Sequence, residues 1–325
     1  MSFSIIGTGS YLPERVLTNA DLEKMVDTTD EWIVTRTGMR ERRLATDAQA
    51  SSDLGLAAAR RALDNAGLPA DQLDMIITAS VTPDMFFPST ACLIQGGLGA
   101  KKAFAFDLNA ACSGFLYAME IGRRFIVSQG ARNVLLVGAE KFSSIVDWTD
   151  RDTCVLFGDG AGAMVMQASG ASRGFRSLIL GSDGSLGEIL KVEGWGSRHM
   201  PADPARTTNR PKIKMLGREV FRHAVHRMTE AGRQALAKAG VTRDDIRWVI
   251  PHQANLRILQ AACERIEVPM DRCYVNLDRV GNISSASVPV AIDEAVRGGK
   301  IQRGDLLLIL VAGAGFTWGG AVLEW

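Results

Sequence analysis

The amino-acid sequence predicts an α/β protein made of two similar halves. Two observations carry the prediction: short apolar runs alternate with helix-patterned stretches, and a stretch of the first half recurs in the second. The runs FSIIGTG, LDMIITAS, AFAFDL, NVLLVGA and AGAMVMQA have the length and composition of strands. Between them, Ser52–Ala66 and Phe115–Gln129 carry apolar residues at helical spacing, with Gly67 and Gly130 placed to end each helix. Strands separated by helices build parallel sheets covered by helices. Residues 62–77, ALDNAGLPADQLDMII, lie over 235–250, ALAKAGVTRDDIRWVI, so that Ala62, Leu63, Ala66, Gly67 and Asp71 match Ala235, Leu236, Ala239, Gly240 and Asp244. The same displacement carries Val134–Val137 onto Leu307–Leu310. Two units sharing one displacement point to an internal duplication, with halves at 1–172 and 173–325. The stretch Gly181–Pro211 is rich in glycine, arginine and proline and has little periodicity, so it is expected to form an excursion between the halves.

Composition narrows the function. The 325 residues are 46% hydrophobic and 22% charged, enough apolar surface for a large core. A net charge of +1 argues against a strongly basic nucleic-acid binder. The cysteines at 92, 112, 154, 263 and 273 show neither CxxC spacing nor disulfide-scaffold density, which fits a reducing cytosol. The N-terminal MSFSIIGTGSYLPER lacks the plan of a signal peptide, and no apolar run reaches the ~20 residues of a membrane helix. A cytoplasmic enzyme that engages neither membrane nor nucleic acid is expected.

Three segments hold residues suited to chemistry. Cys112 falls where the strand AFAFDL gives way to a helical pattern, near a helix N-terminus that would stabilise a thiolate and lower its pKa. An inert buried thiol fits the segment equally well. His252 follows the apolar Trp248–Ile250 and precedes a helix expected from about Ala254, which places it at the carboxyl end of a strand, where α/β proteins hold ligands. A structural histidine is the alternative. His199, His223 and His226 read as loop or helix-surface residues, and no His/Cys spacing indicates zinc. Asn282 lies between a strand pattern and a helix whose start Pro289 obscures, and an Asn after Gly is an ordinary turn residue. GDGAGA at 158–163 joins two strand-like runs rather than a strand to a helix, so it is no dinucleotide loop. Gly313-Ala-Gly315 follows an apolar strand and suits close backbone approach to a ligand.

Taken in order, DLNAACSGF, CVLFGDGAGA, IKMLGREVFRHAV, PHQANLRI, LDRVGNISSASVP and GAGFTWGG resemble the β-ketoacyl-acyl carrier protein synthase III family. The resemblance runs from TDEWIVTRTGMRERR to the C-terminus. It implies the thiolase fold, two duplicated βαβ halves forming a five-layered αβαβα sandwich. It also joins Cys112, His252 and Asn282 into one site. Cys112 would attack an acyl-CoA thioester and carry the acyl group, with the Cys112 and Gly315 backbone N–H groups as oxyanion hole. His252 and Asn282 would hold the carbonyl of malonyl-acyl carrier protein and stabilise the enolate left by departing carbon dioxide. The implied acyltransferase makes a 3-oxoacyl-acyl carrier protein, initiating fatty acid biosynthesis. No cofactor is implied, since the CoA thioester is a substrate.

The resemblance further assigns Trp32, Arg36 and Arg151 to the adenine and phosphate end of CoA, a task suited to stacking and guanidinium pairing. It assigns Phe221, Ala254 and Asn255 to the pantetheine arm. Arg222, Arg257, Lys214 and Arg218 would form a basic mouth that steers the acidic carrier protein. Each also reads as a solvated helix face, and Glu264 occupies a neighbourhood the family often makes basic. Phe87, Phe142, Phe157 and Leu190 map to the acyl pocket. The residue at the Phe87 position reaches across a homodimer in the family, and its bulk here favours a short starter such as acetyl. One methylene changes such a fit by only ~1–3 kcal/mol.

Rivals are separable. A biosynthetic thiolase normally carries a second catalytic cysteine near its C-terminus, and GAGFTWGG has none. Elongating condensing enzymes use two histidines, and plant-type polyketide synthases are longer. A synthase III paralogue loading another starter for a secondary product stays open. So does a non-catalytic acyl-CoA-binding protein, against which an intact Cys112, His252 and Asn282 count.

Overall fold

The computed structural model describes residues 2–170, 173–194, 196–197 and 211–325; His199 and part of the expected excursion lie outside the described residues. The first half comprises β1 (Ser2–Tyr11), β2 (Arg15–Thr18), α1 (Asn19–Leu22), α2 (Asp30–Thr37), β3 (Glu41–Leu44), α3 (Ser51–Ala66), β4 (Met75–Ala79), α4 (Thr90–Leu98), β5 (Phe104–Leu108), α5 (Gly114–Val127), β6 (Asn133–Lys141), α6 (Arg151–Cys154) and β7 (Asp159–Ser169). The second comprises β8 (Gly174–Ser182), β9 (Leu190–Val192), β10 (Ile213–Met215), α7 (Gly217–Ala239), β11 (Trp248–Pro251), α8 (Leu256–Ile266), α9 (Leu277–Val280), α10 (Ser287–Arg297), β12 (Leu306–Gly313) and β13 (Thr317–Glu324). The chain passes from the first sheet to the second between Ser169 and Gly174, and we propose the boundary between the halves there.

The strands order as β1-β7-β6-β4-β5 in one sheet and β8-β13-β12-β11 in the other. Each sheet pairs parallel strands (β4 with β5 and β6; β11 with β12) and continues into antiparallel ones (β6, β7, β1; β12, β13, β8). The duplication extends to detail. Gly67 and Gly240 close α3 and α7 in the left-handed conformation. Short 3-10 turns, Ala111–Ser113 and Ser284–Ala286, lead into α5 and α10. Ala111 and Ser284 even share a positive φ, 47° and 48°.

Period-two alternation along the strands creates the layers. Val134 and Leu136 of β6 pack with Phe115 and Met119 of α5 and Ile292 of α10 in the middle layer, where Leu307 and Ile309 of β12 join from the other sheet. Leu135 and Val137 turn outward to Leu54 and Ala58 of α3. Leu308 and Leu310 turn to the opposite outer layer, with Met228 of α7 and Leu259 of α8. The result is helix, sheet, helix, sheet, helix. Among the described residues no helix is long and apolar enough to cross a membrane.

Several local expectations change. α5 ends at Val127, and Gln129 (φ 61°), not Gly130, takes the left-handed position. α8 starts at Leu256, because Asn255 caps it. The described part of 181–211 holds a 3-10 stretch, Gly184–Ile189, and β9, which pairs with β10 as a hairpin. GDGAGA serves helix packing: a Cβ on Gly162 of β7 would stand 2.7 Å from the Val290 backbone nitrogen of α10. Gly162→Ala should therefore lower the melting temperature by several degrees, whereas Gly170→Ala, with open space around it, should leave it unchanged in a thermal scan.

Candidate active site

Cys112 lies in the 3-10 turn that feeds α5 and is 8% exposed. Its backbone packs on Gly313, where a Cβ would come within 2.6 Å of the Cys112 nitrogen. The close approach expected of Gly313 is thus made by the nucleophile's own main chain. Thr317 Oγ1 donates to the Ala110 carbonyl at 2.9 Å and fastens the C-terminal loop to this turn. The N–H groups of Cys112 and Gly315 have no hydrogen-bond acceptor among the described residues, and both residues line one cavity.

The thiol departs from the lowered pKa expected at a helix start. Burial pushes Cys112 up to about 12, the Ser284 hydroxyl opposes this, and Glu140 adds to it. α5 begins only at Gly114, and desolvation of a thiolate in this enclosed position dominates. Cys112 therefore rests as a neutral thiol.

His252 continues β11, its N–H donating to the Leu310 carbonyl at 2.8 Å. It is 3% exposed, and burial lowers its pKa to about 3, so the ring is neutral. Nδ1 lies 2.6 Å from Ser287 Oγ, which donates to the Ser284 carbonyl at 2.8 Å. That carbonyl also receives the Ser287 backbone N–H. The contact with Ser287 fixes the orientation of the His252 ring. Asn282, 7% exposed, is anchored by its N–H on the Leu156 carbonyl at 2.8 Å. Its Oδ1 accepts the Ser284 N–H at 2.9 Å, which leaves the Nδ2 amide to donate elsewhere.

One cavity of about 680 Å³ brings Cys112, His252, Asn282 and Gly315 together. Phe142, Phe157 and Leu190 line it too, the two rings stacked 4.8 Å apart. So do Trp32, Arg36, Phe221, Ala254 and Asn255. Arg151 is not part of the wall, but its guanidinium lies over the Trp32 ring at 4.8 Å. The Asn255 amide is committed to capping α8 and to the Arg36 carbonyl, so its side chain has little left to offer an arm. Sequence reasoning missed Ile213 and Met215 of β10, which also line the cavity; three-residue strands carry too little periodicity to reveal them. It also missed Ser287, whose only signal is one serine among several in ISSASVP.

The expected basic mouth is thinner than its residue count. Arg218 lines the cavity. Lys214 pairs with Glu193 at 2.7 Å and Arg222 with Glu219 at 2.5 Å, while Arg257 has no ion pair among the described residues. Phe87 is absent from this chain's cavity and 84% exposed, at the end of an exposed run with Met85 and Phe86.

The site can be set beside known proteins. The family model for 3-oxoacyl-[acyl-carrier-protein (ACP)] synthase III matches residues 106–184, and its C-terminal counterpart matches 236–325. Beta-ketoacyl-[acyl-carrier-protein] synthase III of Caldanaerobacter subterraneus is 51% identical over 99% of this chain and 97% of its own. The crystal structure of 3-oxoacyl-[acyl-carrier-protein] synthase III from Aquifex aeolicus is 49% identical, covers 99% of this chain and 100% of its own, and superposes with a TM-score of 0.92. The priming β-ketosynthase of the R1128 polyketide pathway is 37% identical, covers 99% and 96%, and has a TM-score of 0.94.

Burial of neutral His252 has a consequence for stability. Its folded pKa lies below the ordinary 6.5, so the unfolded chain takes up a proton first. The contribution is present above about 6.5 and is lost as pH falls towards about 3. Denaturant titrations across this window should show wild type losing a few kcal/mol more than His252→Gln; parallel curves would contradict the assignment.

Proposed function

The chain belongs to the 3-oxoacyl-[acyl-carrier-protein] synthase III family, and we propose on that premise that it condenses a short acyl-CoA with malonyl-acyl carrier protein, releasing carbon dioxide. The observation that carries this reading is the cavity itself: it joins a cysteine to a neutral histidine and to an amide whose Nδ2 is left to donate. Cys112 Sγ attacks the thioester carbonyl, the oxyanion is received by the Cys112 and Gly315 N–H groups, and CoA leaves with the thiol proton. Malonyl-acyl carrier protein then places its thioester carbonyl against His252 Nε2–H and Asn282 Nδ2–H. Loss of carbon dioxide leaves an enolate that these neutral donors stabilise. The enolate carbon attacks the acyl carbonyl and expels Cys112, giving the 3-oxoacyl product. Decarboxylation generates the carbanion, so the step calls for no strong base, and no cofactor enters the scheme.

Trp32, between Arg36 at 5.8 Å and Arg151 at 4.8 Å, is the platform for the adenine and phosphates. Arg218 and Arg257 are the cations best placed to meet the carrier protein, since Lys214 and Arg222 are already paired. The exposed Phe87 fits a homodimer in which it closes the partner's acyl pocket and favours acetyl as starter. The unpaired cysteines fit work in a reducing cytosol.

Labelled acetyl-CoA should add an acetyl mass to the Cys112 peptide, and Cys112→Ser should lose both adduct and condensation. Full activity in that variant would falsify the covalent mechanism, and an unlabelled wild type would indicate a binding protein. His252→Ala and Asn282→Ala should slow decarboxylation about 10²–10³-fold while sparing self-acylation. Loss of acylation alone would remove their enolate role. A panel of acyl-CoA starters separates the fatty-acid enzyme, which takes acetyl, from a secondary-product paralogue.

A further inference from the structure

We propose that the Ser284 hydroxyl is the hydrogen-bond donor for negative charge on Cys112 Sγ, both when the thiol ionises to attack and when it is expelled after condensation. The inference rests on reading Cys112 as the nucleophile.

Ser284 is fully buried and lines the same cavity as Cys112, yet its Oγ has no hydrogen-bond partner. The polar groups next to it in the turn are committed. The Ser284 N–H donates to Asn282 Oδ1 at 2.9 Å, and its carbonyl accepts from the Ser287 N–H. Ser285 Oγ lies 2.8 Å from both the Ala79 carbonyl and Glu140 Oε1. Ser287 holds His252. A buried hydroxyl without a partner is disfavoured, and so is a left-handed φ at a serine. Ser284 combines both, with φ at 48°, and such concentrations of strain cluster where function demands them.

The 3-10 turn Ala111–Ser113 packs against the turn Ser284–Ala286, and Cys112 and Ser284 both line the cavity. Besides the Cys112 backbone N–H, no other donor among the described residues is seen to act on the thiol. His252 is neutral, with Nδ1 committed, and Glu140 is a carboxylic group that disfavours the thiolate. Asn282 is assigned above to the malonyl thioester. Arg36, Arg218, Lys191 and Asp152 line the cavity but are not among the groups that shift the thiol. The Ser284 hydroxyl is the side chain that pulls the thiol down against burial. In the neutral resting state it has no partner in hydrogen-bond geometry, and a sulfur anion would draw it away from the neighbouring Glu140 carboxyl.

The test is the alkylation of Cys112 by iodoacetamide across a pH series, followed by mass on the Cys112 peptide of the full chain. Ser284→Ala should slow alkylation about tenfold at every pH below the thiol's own range, equivalent to one pKa unit, and slow self-acylation by a similar factor. Ser284→Gly, which accepts the positive φ without strain, should behave the same. Ser113→Ala removes the other unpartnered serine hydroxyl of the facing turn, which does not line the cavity, and should match wild type. Profiles of the two Ser284 variants that superimpose on wild type overturn the proposal. A defect in Ser284→Ala that Ser284→Gly repairs assigns the effect to the backbone and overturns it equally. The readout uses no acyl-CoA, so a wild-type chain that alkylates but never gains an acetyl mass sinks the covalent reading, while the Ser284 variants still decide whether the hydroxyl supports the thiolate.

Discussion

A buried carboxylate with no cation among its partners holds the site together. Glu140, at the end of β6 and fully buried, accepts from the Val81 N–H at 3.1 Å and from Thr82 Oγ1 at 2.7 Å on the loop after β4. From the other half it meets Ser285 Oγ at 2.8 Å. Burial raises its pKa, and the hydrogen bonds from Thr82, Ser285 and Val81 oppose that rise. Taking donors from either side would leave a desolvated charge exposed to the low-dielectric interior, among the most costly defects a core can carry. The turn that Glu140 pins also positions Asn282 on one flank and Ser287, with His252, on the other.

The duplication explains why the pieces meet here. α5 and α10 lie side by side between the sheets, each entered through a turn with a left-handed residue, Ala111 in one copy and Ser284 in the other. The equivalent of Cys112 in the second copy is Ser285, which is engaged with Glu140 rather than with the cavity. The equivalent of His252 in the first copy is Ala79, whose carbonyl accepts from that same serine. One half supplies the sulfur, and the other supplies the donors.

Periodicity made much of the fold legible. The alternation in NVLLVGA and in Leu306–Val311 states which residue faces which layer, and glycines at matching places mark both helix ends. The site was legible only in pieces. A cysteine before a helix, a histidine after a strand and an asparagine in a turn each have innocuous readings, and only the ordered family motifs joined them. The Cys112 pKa was misread because helix-start position is visible in a sequence and desolvation is not. The pairing of Lys214 with Glu193 depends on the β9–β10 hairpin, whose strands are too short to announce themselves.

The bonds from Thr8 and Ser10 of β1 to Asp293 of α10, at 2.9 and 2.5 Å, join residues nearly the whole chain apart. Until α10 has emerged from the ribosome, the first sheet has only α5 over the face that bears Phe3, Ile5 and Met166, and the part that α10 covers stays open. The nascent chain must carry that greasy surface through most of its synthesis, with closure delayed by the large loop to be formed. The middle layer that makes catalysis possible is also where a translating or truncated chain is most exposed to aggregation and most dependent on chaperones.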